Sequence, residues 1–200
     1  MLSALLFGLI ASSALVIGGA IGAYQRPPER LVAVALAFAS GALITALATD
    51  LFVDPFRTGG ALFAGIGLLT GAAAFVLADS LLDRYVKRAG GSVLVAIFAS
   101  NLPEALGGAV SMMDQGRTRG FAIIVWAVTA VILAAAVVLG NAALSGVSHE
   151  SLSVLLAFAG GAVLASLADT LMPDAYREGG KLVAFATAAG FFVSFVISEL

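Results

Sequence analysis

The sequence predicts an all-α, polytopic transmembrane helical bundle of about seven segments. Three observations carry that expectation. Of the 200 residues, 61% are hydrophobic and only 11% are charged, against about 25% charged in a soluble domain. Apolar runs of about 20 residues, the length needed to cross a bilayer, follow one another with only short polar links between them. The chain also repeats itself at a fixed offset. A mean hydropathy of +1.09 leaves too little polar surface to cover a water-soluble globule. The whole chain, 1–200, is therefore expected to be a single integral membrane domain.

The first run, about Leu2 to Tyr24, closes at Gln25-Arg26-Pro27-Pro28-Glu29-Arg30. It has no basic leader and is longer than a signal-peptide core, so it reads as a retained span. The second runs from about Leu31 to Phe52 and is expected to end at Asp54-Pro55. Gly59-Gly60 restarts the chain, and a third run, about Ala61 to Leu82, ends in Arg84, Lys87 and Arg88. There Asp79 and Asp83 are expected to pair with Arg84 or Lys87. The fourth, about Ser92 to Met113, is the central motif helix. The fifth, about Phe121 to Leu144, carries Trp126, expected near a membrane interface. Ser148-His149-Glu150 reads as a helix cap. The sixth and seventh cover about Leu152 to Met172 and Leu182 to Ile197. All are rich in Gly, Ala and Ser, which allow close helix packing in lipid.

Phe38-Ala39-Ser40-Gly41-Ala42 returns as Phe158-Ala159-Gly160-Gly161-Ala162. The same offset of 120 relates Leu47 to Leu167, Leu51 to Leu171, Asp54 to Asp174, Arg57 to Arg177 and Gly59-Gly60 to Gly179-Gly180. Repeat units of about 31–82 and 151–197 therefore flank the motif helix, an arrangement typical of transporters.

Composition excludes several chemistries. With no cysteine, disulfides, iron–sulfur clusters and thiolate zinc sites are ruled out. A net charge of -2 gives no reason to expect nucleic acid as a partner. An enzyme is not expected: Ser100 has no histidine on a neighbouring span to serve as its base. The only histidine, His149, reads as a solvated link residue.

One apolar run carries concentrated polarity: Ser100, Asn101, Pro103 and Glu104. Charge in lipid is expensive, so Glu104 is a functional-site candidate by default. Pro103 should leave the Ala99 carbonyl without its helical partner. Helical spacing lets Ser100, Asn101 and Glu104 face one point, and converging oxygens suit a divalent cation. Asp50 and Asp169, near the ends of equivalent repeat helices, either line a cation path or face headgroups. Asp54 and Asp174, followed closely by Arg57 and Arg177, are expected to serve a local salt bridge or a turn. Met112 and Met113 are read as packing residues.

Loop charge adds a topological expectation, because cytoplasmic loops are enriched in Lys and Arg. Seven complete crossings would divide the ten basic residues five against five. One change of parity between Arg88 and Arg117 puts nine on one side and leaves Arg57 alone on the other. Arg26, Arg84, Lys87, Arg117 and Arg177 then share the cytoplasmic side, and the two repeats run in opposite directions. Either a span is absent between the third and fourth runs, or the fourth does not cross.

Ser100-Asn101-Leu102-Pro103-Glu104-Ala105 resembles the His-Asn-x-Pro-Glu-Gly motif of the ZIP family of divalent metal transporters. It is closer to a bacterial branch with Ser-Asn-x-Pro-Glu-Gly in that helix. The stretch from Ala157 to Ala162 and on through Leu167 to Ala175 is similar to the penultimate helix of that branch. The resemblance implies eight helices, a metal site built from the fourth and fifth, termini outside the cytoplasm, and residence in a bacterial cytoplasmic membrane. It implies zinc as the transported cation, with Glu104 the principal ligand and Asn101 and Ser100 auxiliary donors. No resident cofactor is implied. The family's fourth helix has no counterpart between Arg88 and Ser92, and Ala105 replaces the usual glycine. A site short of ligands leaves two readings: a transporter, completed by a homodimer partner, or a non-transporting remnant or accessory subunit.

Overall fold

The computed structural model describes residues 2–86, 101–144 and 146–198. Among them every regular element is helical. In chain order these are α1 (Leu2–Gln25), α2 (Glu29–Ala46), a π-helical segment (Leu47–Val53), α3 (Asp54–Val86), α4 (Asn101–Asp114), α5 (Arg119–Leu144), α6 (His149–Ser166), a second π-helical segment (Leu167–Leu171), α7 (Met172–Gly179) and α8 (Leu182–Ser198). Each of the seven expected runs coincides with helix, although residues 92–100 of the fourth lie outside the described residues. Glu29–Val53, Pro55–Ala78, Arg119–Leu144 and His149–Gly179 are long and apolar enough to cross a membrane, which points to an integral membrane protein. Large apolar side chains stay exposed along these helices, Leu62, Leu69, Val131 and Leu155 among them. Such exposure would be a liability in water and is expected in lipid.

The chain divides into two compact units: residues 1–32 with 100–146, and residues 33–99 with 147–200. In the first, α1 packs along both α4 and α5. Gly18 lies against the Leu102 carbonyl and Ala105, and Gly22 against the Leu106 carbonyl and Ala109. The two sets of contacts advance together, so α1 and α4 run in the same direction. Arg119 sits over the Tyr24 ring and Trp126 against Gly19, so α5 runs back along α1. Trp126 is 1% exposed. Gly19 and Gly108 lack the side chains that would occupy its space, so the indole packs in the unit's interior.

The second unit contains both repeats. Along α6, Leu51 touches Gly160, Gly59 touches Ser153, Gly67 touches Ala157, and Leu68 touches Gly161. The chain thus descends α6 and climbs it again, reversing at Gly59-Gly60. In the other repeat, Gly179 touches Ala33 and Thr187 touches Gly41, while Gly190 meets Phe38. Here the reversal is at Gly179-Gly180, and α8 climbs α2. The second helix of each repeat therefore packs, in parallel, on the first helix of the other. The Thr58 and Ser153 hydroxyls meet at 2.6 Å near one end of this packing, and Thr45 donates to the Phe191 carbonyl at 3.0 Å on α8.

Two backbone features recur at the offset of 120. Both π-helical segments begin at the matched leucines, Leu47 and Leu167. Both reversals use a glycine with positive φ: Gly60 at φ 78°, ψ 172° and Gly180 at φ 59°, ψ -139°. The expected ends of the second and sixth runs need correction. Helix continues past Asp54-Pro55 to Gly59, and past Met172 to Gly179. Pro55 and Pro173 occupy the second position of α3 and α7, where helix following a π-helical turn tolerates a missing donor.

Positive φ with ψ near ±140–180° is almost closed to residues with a Cβ. Gly60→Ala and Gly180→Ala should each cost about 1–3 kcal/mol. Gly120→Ala, at an ordinary helical position with open space around it, should be neutral or slightly stabilising. Thermal unfolding followed by circular dichroism in detergent checks all three.

Candidate functional site

The candidate site is the start of α4. Asn101 and Glu104 are three residues apart in its first turn, so their side chains lie on one face. Glu104 is 4% exposed, and Asn101 is half-buried. Pro103 lies between Asn101 and Glu104 in that same described turn. Ser100, and the Ala99 carbonyl expected to lose its partner, lie outside the described residues.

Small residues follow Glu104 along α4. Ala105 and Ala109 are fully buried against α1, where Gly18 and Gly22 let the two backbones approach. On α5, Trp126 leans on Gly108, one helical turn beyond Glu104. The Trp126 indole Nε1 is buried and has no hydrogen-bond partner among the described residues. Glu104 thus stands in a largely apolar stretch of α4. An ionised carboxylate there must be held by a counter-charge or by hydrogen-bond donors.

The remaining candidates belong to the second unit. Asp50 stands in the first π-helical segment and Asp169 in the second. Asp169 is exposed and lies ten residues before the end of continuous helix at Gly179, about 15 Å at 1.5 Å per residue. Neither aspartate marks a helix end. Extra residues inserted into a helix as π turns are frequent at functional positions. The sequence signalled both aspartates but not the helical form that holds them.

Other expectations are settled locally. Arg177 pairs with Asp174 at 3.4 Å and with Glu178 at 2.9 Å, as the spacing predicted for Asp174. Ser148 caps α6, accepting from the Ser151 amide at 3.3 Å, and His149 is exposed at the start of that helix. Met112 is 2% exposed and packs in the interior.

A carboxylate and an amide oxygen can supply two ligands to a divalent cation. Zinc usually takes about four. Among the described residues no group of three or more His, Cys, Asp or Glu side chains could hold a metal ion.

These observations define a class, the helical integral membrane protein that has, among the described residues, one buried carboxylate in an apolar unit. No family model matches the chain, and no curated protein matches it.

Proposed function

We propose that the protein carries a divalent metal cation, zinc first among them, across the membrane. Glu104 is the principal ligand, with Asn101 and Ser100 as auxiliary oxygen donors, and Asp50 and Asp169 lie along the path. The observation that carries this reading is the burial of Glu104 beside Asn101 at the start of α4. A carboxylate kept inside an apolar helical unit has a function as its default explanation.

The packing of the second unit supports a transporter architecture. Each repeat folds back at its Gly-Gly pair, and the first helix of one runs parallel to the second helix of the other. That combination is what an inverted repeat requires, and it agrees with the nine-to-one division of loop charge and a ZIP-like plan. On this reading the protein resides in a bacterial cytoplasmic membrane. Arg26, Arg84, Lys87, Arg117 and Arg177 face the cytoplasm, and transport follows an alternating-access or elevator-like path. A homodimer would help cover the polar groups of an incomplete site.

A second reading is favoured by one observation. Two ligands are few for zinc, and no larger ligand group exists among the described residues. On that reading the chain is a non-transporting remnant or accessory subunit that kept its packing repeats.

Calorimetric titration of zinc and cadmium into the purified chain in detergent separates the two. For the transporter, binding should saturate and weaken by about tenfold or more in Glu104→Ala, as expected for loss of a ligand in a metal site. A folded, helical chain that takes up neither metal would transfer the assignment to the accessory reading.

A further inference from the structure

Four arginines meet at one end of the first unit. Arg26 lies in the link from α1 to α2, and Arg30 in the first turn of α2. Arg117 lies in the link from α4 to α5, and Arg119 opens α5. Contacts within the unit bring the two links together. The Arg119 guanidinium carbon is 5.4 Å from the centroid of the Tyr24 ring, which sets the start of α5 on the end of α1. Val32 of α2 lies against Gly107 of α4.

All four arginines are exposed, and among the described residues none takes part in an ion pair. The acids at this end are Glu29 and Asp114, so four positive charges face two negative ones. Two of the guanidiniums rest on aromatic rings, Arg119 on Tyr24 and Arg117 on Phe121 at 5.3 Å. Both rings are themselves exposed, at 62% and 45%. Exposed aromatic rings at the ends of apolar helices belong at headgroup depth. A guanidinium laid on such a ring is oriented and still has hydrogen-bond donors free for phosphate.

We propose that Arg26, Arg30, Arg117 and Arg119 form a docking surface for the phosphate headgroups of an anionic bilayer leaflet. The inference rests on the chain lying in a membrane and not on metal transport, so either can fail alone. The apolar helices fix the depth of this end, and phosphate is the anion found at that depth. Arginine is suited to it because its planar fork binds phosphate oxygens in pairs. Attraction of a polybasic surface to an anionic leaflet falls off within a Debye length. The preference should therefore be salt-sensitive.

Trp126 is the chain's one tryptophan and provides the readout. The full chain is reconstituted in phosphatidylcholine vesicles holding a trace of acyl-chain-labelled phosphatidylglycerol or acyl-chain-labelled phosphatidylcholine. Energy transfer from Trp126 then reports which lipid collects around the protein. Phosphatidylglycerol should be enriched about three- to tenfold, and the enrichment should shrink as salt is raised from about 0.1 M to about 1 M. Replacing all four arginines by glutamine should abolish it. Glu29→Gln with Asp114→Asn should strengthen it, an outcome that does not depend on the fourfold variant folding. Equal transfer to the two lipids, or unchanged enrichment in either variant set, overturns the proposal. Displacement by inorganic phosphate beyond that by chloride at equal ionic strength would also overturn it, and would identify a soluble anion as the ligand.

Discussion

Glu104→Ala is expected to abolish zinc uptake into proteoliposomes while leaving the chain inserted and helical. The carboxylate is almost wholly buried and stands on a helix whose neighbours, Ala105 and Ala109, pack on α1. Truncating it removes the only charge in the immediate turn, so a cation loses its counter-charge as well as a ligand. A fall of about tenfold or more is the scale seen when groups that hold or orient a metal are removed. Glu104→Gln preserves shape and removes charge, so it should fail as fully if the charge is what matters. Asp174→Asn is the control. Asp174 pairs with Arg177 at an exposed surface, where such pairs contribute little, and uptake should stay within about twofold. Asp54→Asn, its repeat partner, is expected to behave alike. Uptake that survives Glu104→Ala unchanged would withdraw the site assignment.

The largest effect on stability is expected from Gly161→Leu and its repeat partner Gly41→Leu. A side chain at Gly161 would collide with the backbone carbonyl of Leu68, and one at Gly41 with that of Thr187. Neither obstacle is the tip of a flexible side chain, so the helices themselves must part. Overpacking of a tight interior costs about 1–3 kcal/mol and occasionally more, and these contacts belong at the upper end. Each substitution should lower the unfolding temperature in detergent markedly. Gly65→Leu, on the same helix as Leu68 but facing open space, should leave it nearly unchanged. Equal sensitivity at Gly65 and Gly161 would mean that α3 does not pack on α6 through this face.

Membership of the broad class was legible in composition, and six of the seven segments were legible within a few residues at their starts. The second and sixth were placed too short. Asp54-Pro55 and Met172-Pro173 look like stops because proline lacks a donor, yet both pairs follow π-helical turns and helix runs on to the glycine. Local sequence gives no sign that a helix has widened to five-residue spacing. The interior slot of Trp126 could not be read locally either, because the facing Gly19 and Gly108 that make it are distant in sequence. At the candidate site, Glu104 and Asn101 were legible because a carboxylate in an apolar run is anomalous by itself. The burial of Glu104 arises in the folded chain and could not be read there.

The sequence by itself determined that the chain is helical, that its helices suit lipid, and that one unit is used twice. Those properties come from composition and spacing, which act over a few residues. Only the tertiary structure decided which helix each repeat packs on. The matched glycines could have served packing within a repeat or between repeats, and apolar faces in lipid have no solvent-driven preference to choose with. Backbone proximity chose: Gly41 with Thr187, Gly190 with Phe38, Gly161 with Leu68 and Gly71 with Phe158 join each first helix to the other repeat's second. Shape complementarity over whole helix faces decides this, and no local run of residues contains it.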